Sequence, residues 1–102
     1  MRRKLKNING KRDTFIGQFD RYGGKSHKGY DEETLLLKNI KNISGDLLAE
    51  HLWFNVTKGF EELGVLRAGA VVSFMARVRS YKNSNGKINY KLIYPTKVKK
   101  IK

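Results

Sequence analysis

The sequence predicts a mainly β domain of five strands, with one short helix between the third and the fourth. Three observations carry that prediction. From Val72 the apolar residues fall on even positions (Val72, Phe74, Ala76, Val78), while Ser73, Met75, Arg77, Arg79 and Tyr81 take the odd ones. A period of two places each set on its own face of a strand. Asn85-Gly86 then separates this run from a second apolar-alternating run, and Asn-Gly is the dipeptide that a tight hairpin turn favours. Upstream, residues 57–64 carry helix signals: Thr57 as cap, Glu61 and Glu62 near the start, Gly64 as stop.

The remaining elements follow in chain order. Residues 1–12 hold Arg2, Arg3, Lys4, Lys6, Lys11 and Arg12 with no acid, and Leu5 and Ile8 are their only large side chains after Met1. A flexible basic arm is expected there, followed by a single domain over residues 13–102 with a lysine-rich C-terminal end. Residues 13–22 read as the first strand, with Phe15, Gly17 and Phe19 on one face and Ile16, Gln18 and Asp20 on the other; Gly17 marks a bulge or bend. Residues 23–33 read as a loop: Gly23, Gly24 and Gly29 punctuate it, Lys25, His27, Lys28 and Tyr30 lie among them, and Asp31-Glu32-Glu33 ends it.

Residues 34–43 form the second expected strand, because the apolar run Leu35-Leu36-Leu37 leads into the turn Ser44-Gly45-Asp46. The third covers residues 47–57, with Leu48, Leu52, Phe54 and Val56 toward the core and His51, Trp53 and Asn55 away from it. After the helix, Gly69 bends the chain into the fourth strand. The fifth covers residues 88–94, with Ile88, Tyr90, Leu92 and Tyr94 on the core face and Asn89, Lys91 and Ile93 opposite; Pro95 ends it. A short closing edge strand is expected in residues 96–102.

Charge bounds the function more tightly than size does. The 102 residues carry 22 Lys and Arg against 9 Asp and Glu, a formal +13, with an isoelectric point near 10.2. Such a domain repels itself, and a polyanionic partner relieves the repulsion. Nucleic acid is the commonest such partner, since counterion release supplies affinity without a sequence motif. Cysteine is absent, which leaves no disulfide framework and no thiolate ligand or nucleophile and fits a cytoplasmic location. No apolar run approaches the roughly 18 residues of a membrane span, and no hydrophobic stretch follows the basic N-terminus, so neither a membrane anchor nor a secretory signal is expected.

Catalytic chemistry finds little support. His27 and His51 are the only histidines, so a zinc site would need carboxylates from distant turns. Gly23-Gly24-Lys25-Ser26 lacks the upstream glycine of a P-loop and leads into a strand instead of a helix. No enzyme, metal or cofactor is expected.

The strand order, together with Leu66-x-x-Gly69-x-x-Val72-x-Phe74-x-Ala76-x-Val78, resembles the OB-fold, a five-stranded Greek-key barrel with a helix between strands three and four. The segments His51-Leu52-Trp53-Phe54-Asn55 and Thr57-Lys58-Gly59-Phe60 also resemble small OB-like proteins of bacterial mobile elements. An SH3-like barrel is the competing fold, and the helix position disfavours it. The OB-fold resemblance implies a nucleic-acid-binding face on the second and third strands, bordered by the first-to-second and fourth-to-fifth loops. On this chain that face comprises Lys38, Lys41, His51, Trp53 and Asn55, flanked by Lys25, His27, Lys28 and Tyr30 and by Tyr81, Lys82, Asn83, Asn85 and Lys87. Arg77 and Arg79 on the fourth strand are further candidates for phosphate.

The expected function is therefore a non-enzymatic module for single-stranded nucleic acid, DNA ahead of RNA, combining phosphate contacts with aromatic stacking. Trp53 is the leading stacking ring, with Tyr30 and Tyr81 behind it. The alternative is a protein-interaction, inhibitor or accessory module of a mobile element that docks on an acidic protein surface, with Trp53 as its anchor.

Overall fold

One long strand, β1 (Arg12–His27), organises the sheet. The computed structural model describes residues 3–27 and 30–102, with side chains for residues 5–24 and 33–102. β1 pairs with β2 (Tyr30–Asn42) on one side and with β4 (Val71–Lys82) on the other. β3 (Leu47–Asn55) lies outside β2, and β5 (Ile88–Lys100) lies outside β4. The order is β3-β2-β1-β4-β5, with every pairing antiparallel. A helix of four residues, α1 (Lys58–Glu61), connects β3 to β4. The mainly β class and the helix position agree with the sequence.

The sheet is strongly curled. β3 and β4 are three inter-strand steps apart, about 14 Å in a flat sheet, yet the rings of Phe54 and Phe74 stand 5.4 Å apart, edge to face. Phe15 and Phe60 join them, with centroid separations to Phe74 of 6.0 and 6.4 Å. This aromatic cluster, with Leu35, Leu37, Ile40, Val72 and Val78, forms the core inside the curl. Curling brings the two edge strands toward each other without joining them. Among the described residues no ladder links β3 to β5, so the closed barrel that the resemblance implied is not present; a cleft takes the place of the last pairing.

Gly17 lets β1 pack closely on β2 inside the curl. A Cβ there would come within 2.9 Å of Ile40 Cδ1 and 3.3 Å of Leu37 Cβ, and the β1–β2 register shifts between Ile16 and Gln18. The second irregularity, between Phe19 and Arg21, leaves Asp20 as the extra residue of a bulge.

Four expectations are corrected. Residues 23–27 and 30–33, read as loop, continue the β1–β2 ladder from Gly23↔Thr34 to His27↔Tyr30; the glycines weaken a strand, but the partner's backbone remains within reach and the ladder propagates. Residues 88–94 and the expected closing strand form one element, β5, that runs through Pro95. An edge strand tolerates a missing N–H, and positive φ at Tyr94 (53°) and Lys97 (50°) absorbs the irregularity. Those turns break the period of two, so Tyr94 is 65% exposed instead of facing the core. Finally, Thr57 occupies the N-cap position but makes no capping bond, and its hydroxyl is buried with no hydrogen-bond partner.

The N-terminal segment, given no element by the sequence, contains a 3-10 helix at Arg3–Ile8. Leu5 is wholly buried in the core. The segment is tied down where Gly10 N–H donates to the Val78 carbonyl (2.8 Å) and Val78 N–H donates to that of Lys11 (2.9 Å).

Candidate functional site

The outer face of β1, β2 and β3 is built in rows. Backbone pairing aligns Gln18, Lys38 and His51 in one row, Arg21, Leu36 and Trp53 in the next, and Gly23, Thr34 and Asn55 in the third. Lys41 lies one row beyond the first, paired with Ile16. His51, Trp53 and Asn55 point away from the core as their parity requires, while Leu48, Leu52 and Phe54 are buried.

Trp53 is the centre of this face. It is 49% exposed, with the guanidinium carbon of Arg21 5.8 Å from its ring centroid. Beneath it, Leu36 is almost completely covered, at 6% exposure, although Leu36 belongs to the outer face and not to the core cluster. Gly23 provides the room: a Cβ at that position would lie 2.8 Å from Trp53 Cζ3. The indole is thus held on one side by sheet and open on the other.

Three grooves meet at Trp53. One holds Asp20, Arg21, Lys38, Glu50 and His51. A second is formed with Gly23, Gly24, Thr34 and Asn55. The third is the cleft between the sheet edges, about 400 Å³, where Trp53, Phe54 and Asn55 of β3 face Lys91, Tyr94 and Pro95 of β5. The first groove is mixed in sign. The Asp20 carboxylate, on its bulge, pairs with Arg21 at 3.1 Å and with Lys38 at 3.7 Å.

The remaining candidates form a second group on β4 and β5. Arg79 pairs with Lys91 and Tyr81 with Asn89 across the ladder, and the Lys91 ammonium sits 5.4 Å from the Tyr81 ring centroid. Lys91 therefore links the Tyr81 group to the cleft that Trp53 borders. Arg77 takes a structural bond, donating to the Gly10 carbonyl at 3.0 Å. Lys82 and Lys87 flank the β4–β5 turn. There the Asn83 side-chain oxygen accepts the Asn85 and Lys87 backbone N–H groups at 3.0 Å, so Asn83 shapes the loop. Lys28 lies outside the described residues, as do the side chains of Lys25, His27 and Tyr30.

Sequence reasoning missed Arg21, Gly23, Lys91 and Tyr94. Arg21 was hidden by the bulge at Asp20, which shifts its parity. Gly23 was read as loop. Lys91 carried a usable signal, its place opposite the core face of β5, whereas nothing in the residue types announced the positive φ that exposes Tyr94. Among the described residues, no three His, Asp or Glu side chains converge to hold a metal ion. No helix among them is long and apolar enough to cross a membrane. No protein-family model, curated protein or solved structure matches this chain.

Proposed function

We propose that this protein binds single-stranded nucleic acid, DNA ahead of RNA, without catalysing a reaction. The observation that carries the proposal is the half-exposed Trp53 ring, fixed between Arg21 and Gly23 where three grooves meet. Single-strand binding needs cations along a path for phosphates and aromatic faces on which bases stack. Arg21, Lys38 and Lys91 border the grooves around Trp53, and Arg79 and Tyr81 extend the path across β4. The net charge of +13 supplies long-range attraction.

The strand order supports the OB-fold resemblance, which extends to the finer fold in this reading: a barrel left open between its third and fifth strands. Binding of a fluorescein-labelled oligothymidylate, followed by anisotropy from 20 to 300 mM salt, tests the function. Affinity that falls steeply with salt supports it. Absence of binding at the lowest salt overturns it.

Docking of an acidic protein segment is the second reading, and the open sheet edges favour it. An extended peptide can add to an exposed edge through backbone hydrogen bonds, and the β5 edge carries Lys97, Lys99 and Lys100.

A further inference from the structure

We infer that the cleft between β3 and β5 is a base-binding subsite in which one unpaired nucleobase inserts and stacks on Tyr94. The inference rests on the nucleic-acid reading above and adds a stacking ring, apart from Trp53, that the resemblance did not supply.

Three observations converge on the cleft. Tyr94 lines it and is largely in solvent, at 65% exposure. Its volume of about 400 Å³ lies within the range of roughly 300–1,000 Å³ typical of small-ligand clefts. Lys91 stands on its β5 side, where a phosphate next to an inserted base needs a cation.

The backbone at Tyr94 makes the point independently. Its φ of 53° is unfavourable for a bulky L-residue. It also precedes Pro95, which biases the preceding residue toward extended conformations. Such strain persists only where the surroundings enforce it, and it concentrates at ligand clamps. The enforcing group here is Arg12, whose Nη2 donates to the Tyr94 carbonyl at 3.1 Å and also to the Thr96 hydroxyl. A regular strand would return Tyr94 to the inner face. The anchored turn instead keeps its ring at the cleft. Ile93 and Pro95 give the cleft apolar surface, which suits the face of a base better than its charged backbone.

The test compares an oligothymidylate with an abasic oligomer of the same length, using wild type, Tyr94→Gly and Tyr94→Phe. Glycine accepts positive φ, so Tyr94→Gly removes the ring and leaves the turn unstrained. Wild type is expected to prefer the base-bearing oligomer. Tyr94→Gly should weaken that binding about fivefold or more with little change toward the abasic oligomer, and Tyr94→Phe should behave as wild type. If wild type binds both oligomers and Tyr94→Gly discriminates between them as wild type does, the subsite is wrong while the nucleic-acid reading stands. If wild type binds neither oligomer, or binds only an acidic peptide, that reading falls and the subsite with it.

Discussion

Gly23 and Trp53 fit each other: the indole occupies the space a side chain at residue 23 would need, and a Cβ there would sit 2.8 Å from Cζ3 and 3.0 Å from Cη2 of the ring. Gly23→Ala must therefore push the ring off the sheet, uncovering Leu36. The tryptophan emission should shift to the red and oligonucleotide affinity should fall, both readable in one fluorescence titration. An unchanged emission maximum would mean that the ring rests elsewhere in solution.

Trp53→Ala separates binding from stability. Loss of a stacked base is worth about 1–3 kcal/mol, or about 5- to 150-fold in Kd. The ring is half in solvent, so chemical denaturation should show a smaller loss of stability than the about 3–5 kcal/mol expected for Phe74→Ala in the core. A Trp53→Ala protein as unstable as Phe74→Ala would place the indole among the structural aromatics.

Asp20 restrains the cations on its own face through its contacts with Arg21 and Lys38. These pairs are partly solvated and contribute little to stability. Asp20→Asn should leave the melting temperature nearly unchanged and tighten oligonucleotide binding several-fold at low salt, an effect that fades as salt screens the added charge. Isothermal titration at two salt concentrations checks both halves.

Leu5 connects the N-terminal segment to the core. Leu5→Ala should cost about 2–5 kcal/mol, measured by urea unfolding, whereas Lys6→Ala on the exposed side of the same 3-10 helix should cost almost nothing.

The alternation in β3 and β4 was legible because one face of each strand is buried and the other is not. Val72, Phe74, Ala76 and Val78 all lie inside, and Arg77 and Arg79 outside. Gly17 was legible as a bulge or bend, because glycine inside a strand pattern marks one, and the β1–β2 register does shift between Ile16 and Gln18. Leu5 was not legible, since a lone leucine among lysines has no periodicity to reveal what it packs against. Tyr94 was misread because period-two logic assumes unbroken extended backbone, and its φ of 53° ends that assumption. The open cleft was equally invisible. Whether β3 and β5 pair depends on how far the sheet curls, a sum of small twists that no single residue encodes.

The central claim is that a tryptophan held on the sheet by Gly23 and Arg21 receives bases from a single strand. Quenching of the sole tryptophan by a short oligothymidylate tests it most directly, because the signal originates at the proposed contact. Saturable quenching is expected, with a binding constant whose logarithm falls linearly with the logarithm of salt concentration and a slope reduced by about 0.7 when Lys91 is changed to Gln. Binding detected by anisotropy with no change in tryptophan emission would place the nucleic acid away from Trp53 and contradict the account.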